Sequence, residues 1–310
     1  MQKFVVGSSE EGQTLEKYVR KVLKEAPLSF IYKLFRKKDI KVNGHWQKEK
    51  YQVSSGEEIS IYISDDQLEE FKKKNKDVAL VNISSWIVYE DKNIIVINKP
   101  RGVIVQKDES GSTALDEMVI SYLINKGEYD PNKDLGYTPA PTHRLDRNTA
   151  GLIVFGKNLP TLRYFSKIMQ DKSLIEKRYL TLVIGEIKGE GKIDYKLEKN
   201  SKNGRVFVSD NGKTALTKYK VVKNLKGYTL LEAQLLTGRT HQIRVHLSYI
   251  GYPAEGDPLY CGRKYDALYK NGQLLVATSL KLIHPSSHKE MEFHIELPQY
   301  FKDILNQLEE

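Results

Sequence analysis

The stretch HRLDRNTAGLIVFGKN, His143 to Asn158, holds an acidic side chain between two arginines and ends in a glycine and a lysine at phosphate-loop spacing. Three chemistries could use such residues. A phosphate loop would use Gly151, Gly156 and Lys157, but Asn158 stands where a Ser or Thr must hold magnesium. The residues between the glycines, Leu152, Ile153, Val154 and Phe155, are apolar and mostly β-forming, whereas a phosphate loop wraps its N–H groups around an anion. They predict a buried strand. A kinase catalytic loop needs H-R-D-L-x-x-x-N; here Leu145 precedes Asp146 and Asn148 follows too soon, so the metal-binding geometry fails. The third chemistry is nucleophilic. Arg144 and Arg147 beside Asp146 would hold its carboxylate ionised at a sheet edge, and an ionised Asp can attack an electrophilic carbon. A structural ion pair at a loop accounts for the same three residues.

A second segment, TGRTHQIRVH, gathers Arg239, His241, Arg244 and His246 between Thr237 and His246. Ile243, Val245 and Leu247 alternate with Arg244, His246 and Ser248, a pattern that suits a strand edge or the start of a helix. Zinc on His241 and His246 fits poorly, because a helical pair takes i,i+4 spacing with Glu in H-E-x-x-H. The single cysteine, Cys261, excludes an internal disulfide framework and a cysteine-based zinc site, and reads as a packing residue in a reducing compartment.

The elements that must position these residues follow from hydrophobic spacing. From about Trp86 onward, WIVYED, NIIVINKP, GLIVFGK, RYLTLVIGEI, KYKVVKN, YTLLEAQLL and LLVATSLKLIH read as strands. Short turns such as Asp91-Lys92-Asn93, Asn211-Gly212 and Asn271-Gly272 favour an antiparallel or mixed sheet over a doubly wound one. Toward the N-terminus, TLEKYVRKVLKE lines one helical face with Leu15, Val19, Val22 and Leu23. SFIYKLFRKK predicts a second helix capped by Ser29, with Phe30, Ile31, Leu34 and Phe35 inward and Lys33, Arg36 and Lys37 on the opposite side. An Asn43-Gly44 turn and the strand ISIYIS complete a small unit, and DDQLEEFKKKNKDVAL reads as a linker with one helical turn.

Charge concentrates in that small unit. Lys+Arg number 49 against 40 Asp+Glu, a net charge of +9, and the span Leu15 to Lys50 alone carries eleven basic against four acidic residues. A local excess of this kind suits a polyanionic partner, although a solvated helix face would show the same charges. With 40% hydrophobic residues the chain can bury a substantial core. MQKFVVGSSEEGQT lacks the apolar stretch of a signal peptide and no run is long enough for a membrane helix, so the expectation is a cytoplasmic protein.

PLSFIYKLFRKKDIKVNG followed by SSGEEISIYI resembles an S4 RNA-binding domain. NKPRGVIV, HRLDRNTAG, EKRYLTLVIG and TGRTHQIRVHLSYIGYPAEGDPLYCG, in that order, resemble the RluA-type pseudouridine synthases, and among them the RluC/RluD-like branch that acts on large-subunit ribosomal RNA and carries an N-terminal S4 domain. The resemblance implies an α+β fold: a catalytic domain on a mixed, mainly antiparallel sheet over residues 86–305, an S4-like (α-L) domain over 12–72, and a linker over 73–85. It implies Asp146 as the catalytic aspartate, Tyr179 as the active-site tyrosine and Arg244 as the basic partner of the aspartate. Arg144 matches the position that contacts RNA where the base is extruded, and Arg147, Lys33, Arg36 and Lys37 are further candidates for RNA contact. It implies no metal and no cofactor, since moving a uracil from N1 to C5 on the same ribose needs no external redox agent. The partner expected is RNA, 23S ribosomal RNA or a large-subunit precursor, bound by a monomer with no membrane association. Ala150 departs from a frequent Ser, and VIVQKD departs from the usual continuation after N-K-P-x-G. The competing expectations are a non-catalytic S4-type RNA-binding protein and a glycosidic hydrolase; the hydrolase usually needs a second carboxylate, and none is evident beside Asp146.

Overall fold

The computed structural model describes residues 1–310 apart from 9, 72–80, 109–110, 132–133, 135–136, 169–173 and 263–266. Its N-terminal part runs β1 (Gln2–Val5), α1 (Leu15–Val22), α2 (Leu28–Arg36), β2 (Ile40–Val42), β3 (His45–Trp46), β4 (Glu58–Ile61) and α3 (Asp65–Phe71). The strands form one sheet in the order β1-β4-β2-β3, so β1 adds to it ahead of residue 12. Leu15, Tyr18 and Val19 of α1 and Ile31, Leu34 and Phe35 of α2 pack with Ile40, Ile59 and Ile61 of the sheet into one core. The Thr14 hydroxyl caps α1 by accepting from Lys17 N–H at 3.3 Å. Ser29 does not cap α2 as its sequence suggested. Pro27, with φ at −57°, already sets the helical turn, so the helix starts at Leu28 and Ser29 lies inside its first turn. Lys33, Arg36 and Lys37 are all exposed, as the spacing predicts. Asn43 and Gly44 both take positive φ, which the tight turn between β2 and β3 requires.

The stretch read as a linker begins as α3, whose Leu68 joins the N-terminal core and whose Phe71 ring lies 4.9 Å from that of Phe30. Residues 72–80 lie outside the described set, and with them most of the expected linker; Ile83 is buried in the main core.

The larger part contains β5 (Ile87–Glu90), β6 (Ile94–Lys99), α4 (Leu115–Asn125), β7 (Ala140–Pro141), β8 (Ala150–Gly156), α5 (Leu159–Ile168), β9 (Ile175–Ile184) and β10 (Glu190–Asp194). It continues with β11 (Leu197–Lys199), β12 (Val206–Val208), β13 (Leu216–Leu225), β14 (Tyr228–Leu235), α6 (Gln242–Tyr249), β15 (Leu275–Ile283), β16 (Glu290–His294) and α7 (Gln299–Glu309). The main sheet has the order β10-β13-β14-β9-β15-β8-β6-β5, with β16 against β15 and β7 against β8. Its β8 and β15 run parallel and its other pairs antiparallel, so the sheet is mixed, mainly antiparallel, and the class is α+β.

Both faces of the central strands are covered, which is why they read as unbroken apolar runs. Ile95, Ile97, Ile153 and Phe155 face α4, while Ile94, Val96, Leu152 and Val154 pack with Phe165 and Ile168 of α5. Every residue of β8 is buried, so the would-be phosphate loop is the strand its composition predicts. Lys157 is buried at its end, donating to Glu90 at 2.8 Å, to the Asp91 carbonyl at 2.7 Å and to Glu128. That lysine holds strands together.

Candidate active site

Asp146 sits in the loop that leads into β8, and two devices hold that loop. Beneath it, the fully buried Lys99 ammonium at the end of β6 donates to the carbonyls of Arg147 (3.1 Å), Val103 (2.8 Å) and Pro100 (3.0 Å). Three acceptors take all three ammonium hydrogens, an arrangement that the charged form alone can fill. Burial nevertheless pulls the Lys99 pKa down to about 7, against the pull of the Asp146 charge. Behind the loop, Gly151 has φ +117°, and a Cβ there would stand 2.3 Å from the Ala277 carbonyl of β15. No side chain fits, and the backbones of β8 and β15 close up.

Arg244 reaches Asp146 from α6. Its Nη1 donates to Asp146 Oδ2 at 2.8 Å, while Nε and Nη2 grip Asp257 at 2.6 and 2.9 Å. Asp257 is held in turn by the backbone N–H groups of Leu259 (2.9 Å) and Tyr260 (3.2 Å). Burial works against the Arg244 charge, but the carboxylates of Asp257 and Asp146 more than offset it and lift its pKa above the ordinary value. A buried charge with two bidentate or single-point partners is fixed in direction as well as in protonation. Asp146 Oδ1 keeps its freedom: His241 Nε2 is 3.8 Å away, beyond hydrogen-bond reach.

Tyr179 on β9 faces the same space. Its partners across the sheet are Ala233 of β14 and Ala277 of β15, whose small side chains leave room for its ring. Burial first and the Asp146 charge second push its phenol above the usual range, so the hydroxyl stays protonated. Asp146, Tyr179 and His241 line a cleft of about 1320 Å³ bounded by Pro141 to Arg147, by the Leu235–His241 segment, and by the loop after β6. Lys107, Arg144, Arg147, Lys177, Lys199 and Arg239 line it against the two acidic residues Asp108 and Asp146, a balance that suits a polyanion.

The structure brings Asp146, Tyr179, Arg144 and Arg147 to one cleft, with Arg244 buried and bonded to Asp146, and leaves Lys33, Arg36 and Lys37 on the N-terminal part. The ion pairs expected between Asp146 and its flanking arginines do not form as read. Arg147 donates to Asp108 at 3.2 Å, Arg144 is exposed, and Asp146 pairs with Arg244. Exposed guanidinium groups keep their water, whereas a half-buried carboxylate gains more from a desolvated, preorganised partner.

The segment TGRTHQIRVH resolves into a loop followed by α6, buried on all sides from Gln242 to Leu247. Gln242 fastens the loop, accepting from Thr237 Oγ1 (2.7 Å) and Arg239 N–H (3.0 Å) and donating to Leu216 O (2.9 Å) and Thr217 Oγ1 (3.0 Å). His246 is a satisfied core histidine between Thr217 Oγ1 (2.9 Å) and the Tyr195 carbonyl (3.0 Å). Among the described residues no group of three or more His, Cys, Asp or Glu could hold a metal ion. Lys99, Asp257, Gln242 and Tyr260 escaped the sequence reading. Their service is to orient other side chains, and a lysine in N-K-P or an aspartate in G-D-P carries no periodicity that would mark it.

The sequence pattern of RNA pseudouridylate synthases matches residues 93–249 of the chain. Ribosomal large subunit pseudouridine synthase C of Vibrio vulnificus (strain CMCP6) is 31% identical over 307 residues, covering 96% of this chain and 93% of that protein. Ribosomal large subunit pseudouridine synthase D of Escherichia coli (strain K12) is 32% identical over 313 residues, covering 97% and 92%. The solved structure of human RNA pseudouridylate synthase domain containing 4 superimposes with a TM-score of 0.59 at 22% identity, over 73% of this chain and 94% of that one. That last likeness is one of fold.

Proposed function

The chain belongs to the RNA pseudouridylate synthase family, and we propose that it isomerises uridines of large-subunit ribosomal RNA with Asp146 as its catalytic carboxylate. The observation that carries the reading is the disposition of that carboxylate. Arg244 occupies Oδ2 and leaves Oδ1 open to a basic cleft floored by Tyr179. The relatives named for the large ribosomal subunit support the choice of RNA.

In the reaction the N1–C1′ bond breaks, the uracil turns, and C5 bonds to C1′ while the C5 proton leaves and N1 takes one up. Asp146 Oδ1 acts on the ribose, by attack at C1′ or by assisting a glycal route. Arg244 orients it, and Tyr179 stacks on the freed uracil, where a residue that stays protonated presents a donor. The uridine must leave its stack to arrive there, at a cost of a few kcal/mol, and phosphate contacts offset that cost. Arg144 and Arg147 at the cleft rim make such contacts. Residues 12–72 act as an S4-like RNA-binding domain, joined through 73–85 to a catalytic domain over 86–305, with Lys33, Arg36 and Lys37 on the docking face. The protein works as a cytoplasmic monomer.

The test is release of tritium from ribosomal RNA carrying 5-tritiated uridine. Wild type releases it; Asp146→Asn and Asp146→Ala do not, and normal release by both sinks the assignment of Asp146. A hydrolase would leave abasic sites instead of a new C–C bond, which product analysis on the same RNA reveals.

A further inference from the structure

His241 stands at the mouth of α6 with φ 53° and ψ 20°, a left-handed conformation that non-glycine residues adopt at a cost. Its contacts say what that conformation achieves. Nδ1 lies 2.9 Å from the phenol oxygen of Tyr260. That oxygen accepts the Val206 N–H at 3.2 Å, and with no other acceptor against the hydroxyl among the described residues we assign the phenol hydrogen to Nδ1. Nδ1 is then the acceptor, and the imidazole carries its hydrogen on Nε2. Burial, with the Arg244 charge adding to it, keeps the ring neutral against the opposite pull of Asp146. Nε2 lies 3.8 Å from Asp146 Oδ1, a gap too long for a hydrogen bond. Nε2 therefore stands beside the open carboxylate oxygen with no hydrogen-bond partner among the described residues, where a substrate group can supply one.

We propose that the His241 Nε2–H donates to the ribose 2′-hydroxyl oxygen of the extruded uridine and makes this residue the one that distinguishes RNA from DNA at the reacting nucleotide. The inference rests on the reading of Asp146 given above. A carboxylate oxygen acting at the anomeric carbon stands about 3 Å from it. The oxygen on the adjoining C2′ then falls within reach of a donor 3.8 Å from the same carboxylate oxygen. The 2′-hydroxyl is the group a protein can use to tell the two nucleic acids apart, and it persists unchanged in the pseudouridine product. His241 is in that sense a specificity-determining residue, with Tyr260 as the positioning residue that sets its tautomer.

The experiment takes a large-subunit ribosomal RNA fragment from which the full-length wild type releases tritium, and synthesises it with uridine or 2′-deoxyuridine at the target. Affinity for both RNAs is measured with wild type, His241→Asn and Tyr260→Phe. Asparagine accepts a left-handed backbone but cannot reach where Nε2 stands, and phenylalanine keeps the Tyr260 ring while removing its hydroxyl. Wild type should bind the uridine RNA about fivefold more tightly, the ratio one net hydrogen bond supplies. His241→Asn should bind both RNAs equally, and Tyr260→Phe should show a reduced preference, each with a melting temperature near that of wild type. A wild type without the preference, or a His241→Asn protein that keeps it, overturns the role of His241 while leaving that of Asp146 standing. Failure of wild type to release tritium from any ribosomal RNA overturns both.

Discussion

A lysine in place of Arg244 would reach one carboxylate and abandon the other, because an ammonium is a point charge where a guanidinium is a planar fork. Asp257, whose side chain is 0% exposed, would be left buried without its partner. Breaking a buried pair in this way costs about 3 to 5 kcal/mol, and displacing a reacting group by about 1 Å costs about a hundredfold in rate. Arg244→Lys should therefore lower both the melting temperature and the kcat of tritium release, the latter by about a hundredfold. Lys99 allows a test by pH. Its pKa is about 7 in the folded protein against 10.5 for the free side chain, so below pH 7 both states hold the proton and the burial penalty is present in full. Between those values the unfolded chain binds more protons than the folded one, and stability rises with pH. In urea unfolding, wild type should gain stability relative to Lys99→Met on going from pH 6 to pH 9; a constant difference would refute it. Asp146 and Arg244 were legible in the sequence because their neighbours form motifs. Asp257 and Lys99 were not, since each acts through contacts with residues distant in the chain.

At the scale of elements, β8 decides where Asp146 stands. Its apolar run announced a buried strand, yet nothing in the run said that its first turn must press against β15. Gly151→Ala would place a methyl group 2.3 Å from the Ala277 carbonyl at φ +117°, a conformation closed to alanine. Overlap and backbone strain together should cost roughly 3 kcal/mol or more. The melting temperature should fall by roughly 10 °C, and tritium release should fall further than folding alone accounts for, because the loop carrying Asp146 is displaced. An alanine variant that melts and turns over like wild type would show that the close approach is unimportant. The alternation in TGRTHQIRVH left helix and strand open, and the structure makes it a helix in which polar Gln242, Arg244 and His246 are buried together with Ile243, Val245 and Leu247, so no polar exposed face gives the stretch a helical period. Ser29 misled for a different reason, since a proline two residues earlier sets the start of α2 before the serine can cap it.

The whole molecule places a basic, exposed helix face on its N-terminal part and a basic cleft on its main sheet, and RNA is long enough to touch both. The α+β class and most of the long strands were legible because turns punctuate apolar runs; β10, β11, β12 and β16 were not, because they sit at edges with mixed burial. Among the described residues no helix is long and apolar enough to cross a membrane. If α2 docks on the phosphate backbone, its three cations act by releasing counterions, and their removal should appear in the salt dependence of binding before it appears in the chemistry. Replacing Lys33, Arg36 and Lys37 together by alanine leaves the buried face of α2 intact, since Ile31, Leu34 and Phe35 make the core contacts. The plot of log affinity against log salt should become shallower by about 2 to 3 units of slope for three lost phosphate contacts. The kcat at saturating RNA should stay near the wild-type value, because these side chains lie outside the cleft. An unchanged slope across several salt concentrations would remove α2 from the RNA-binding surface.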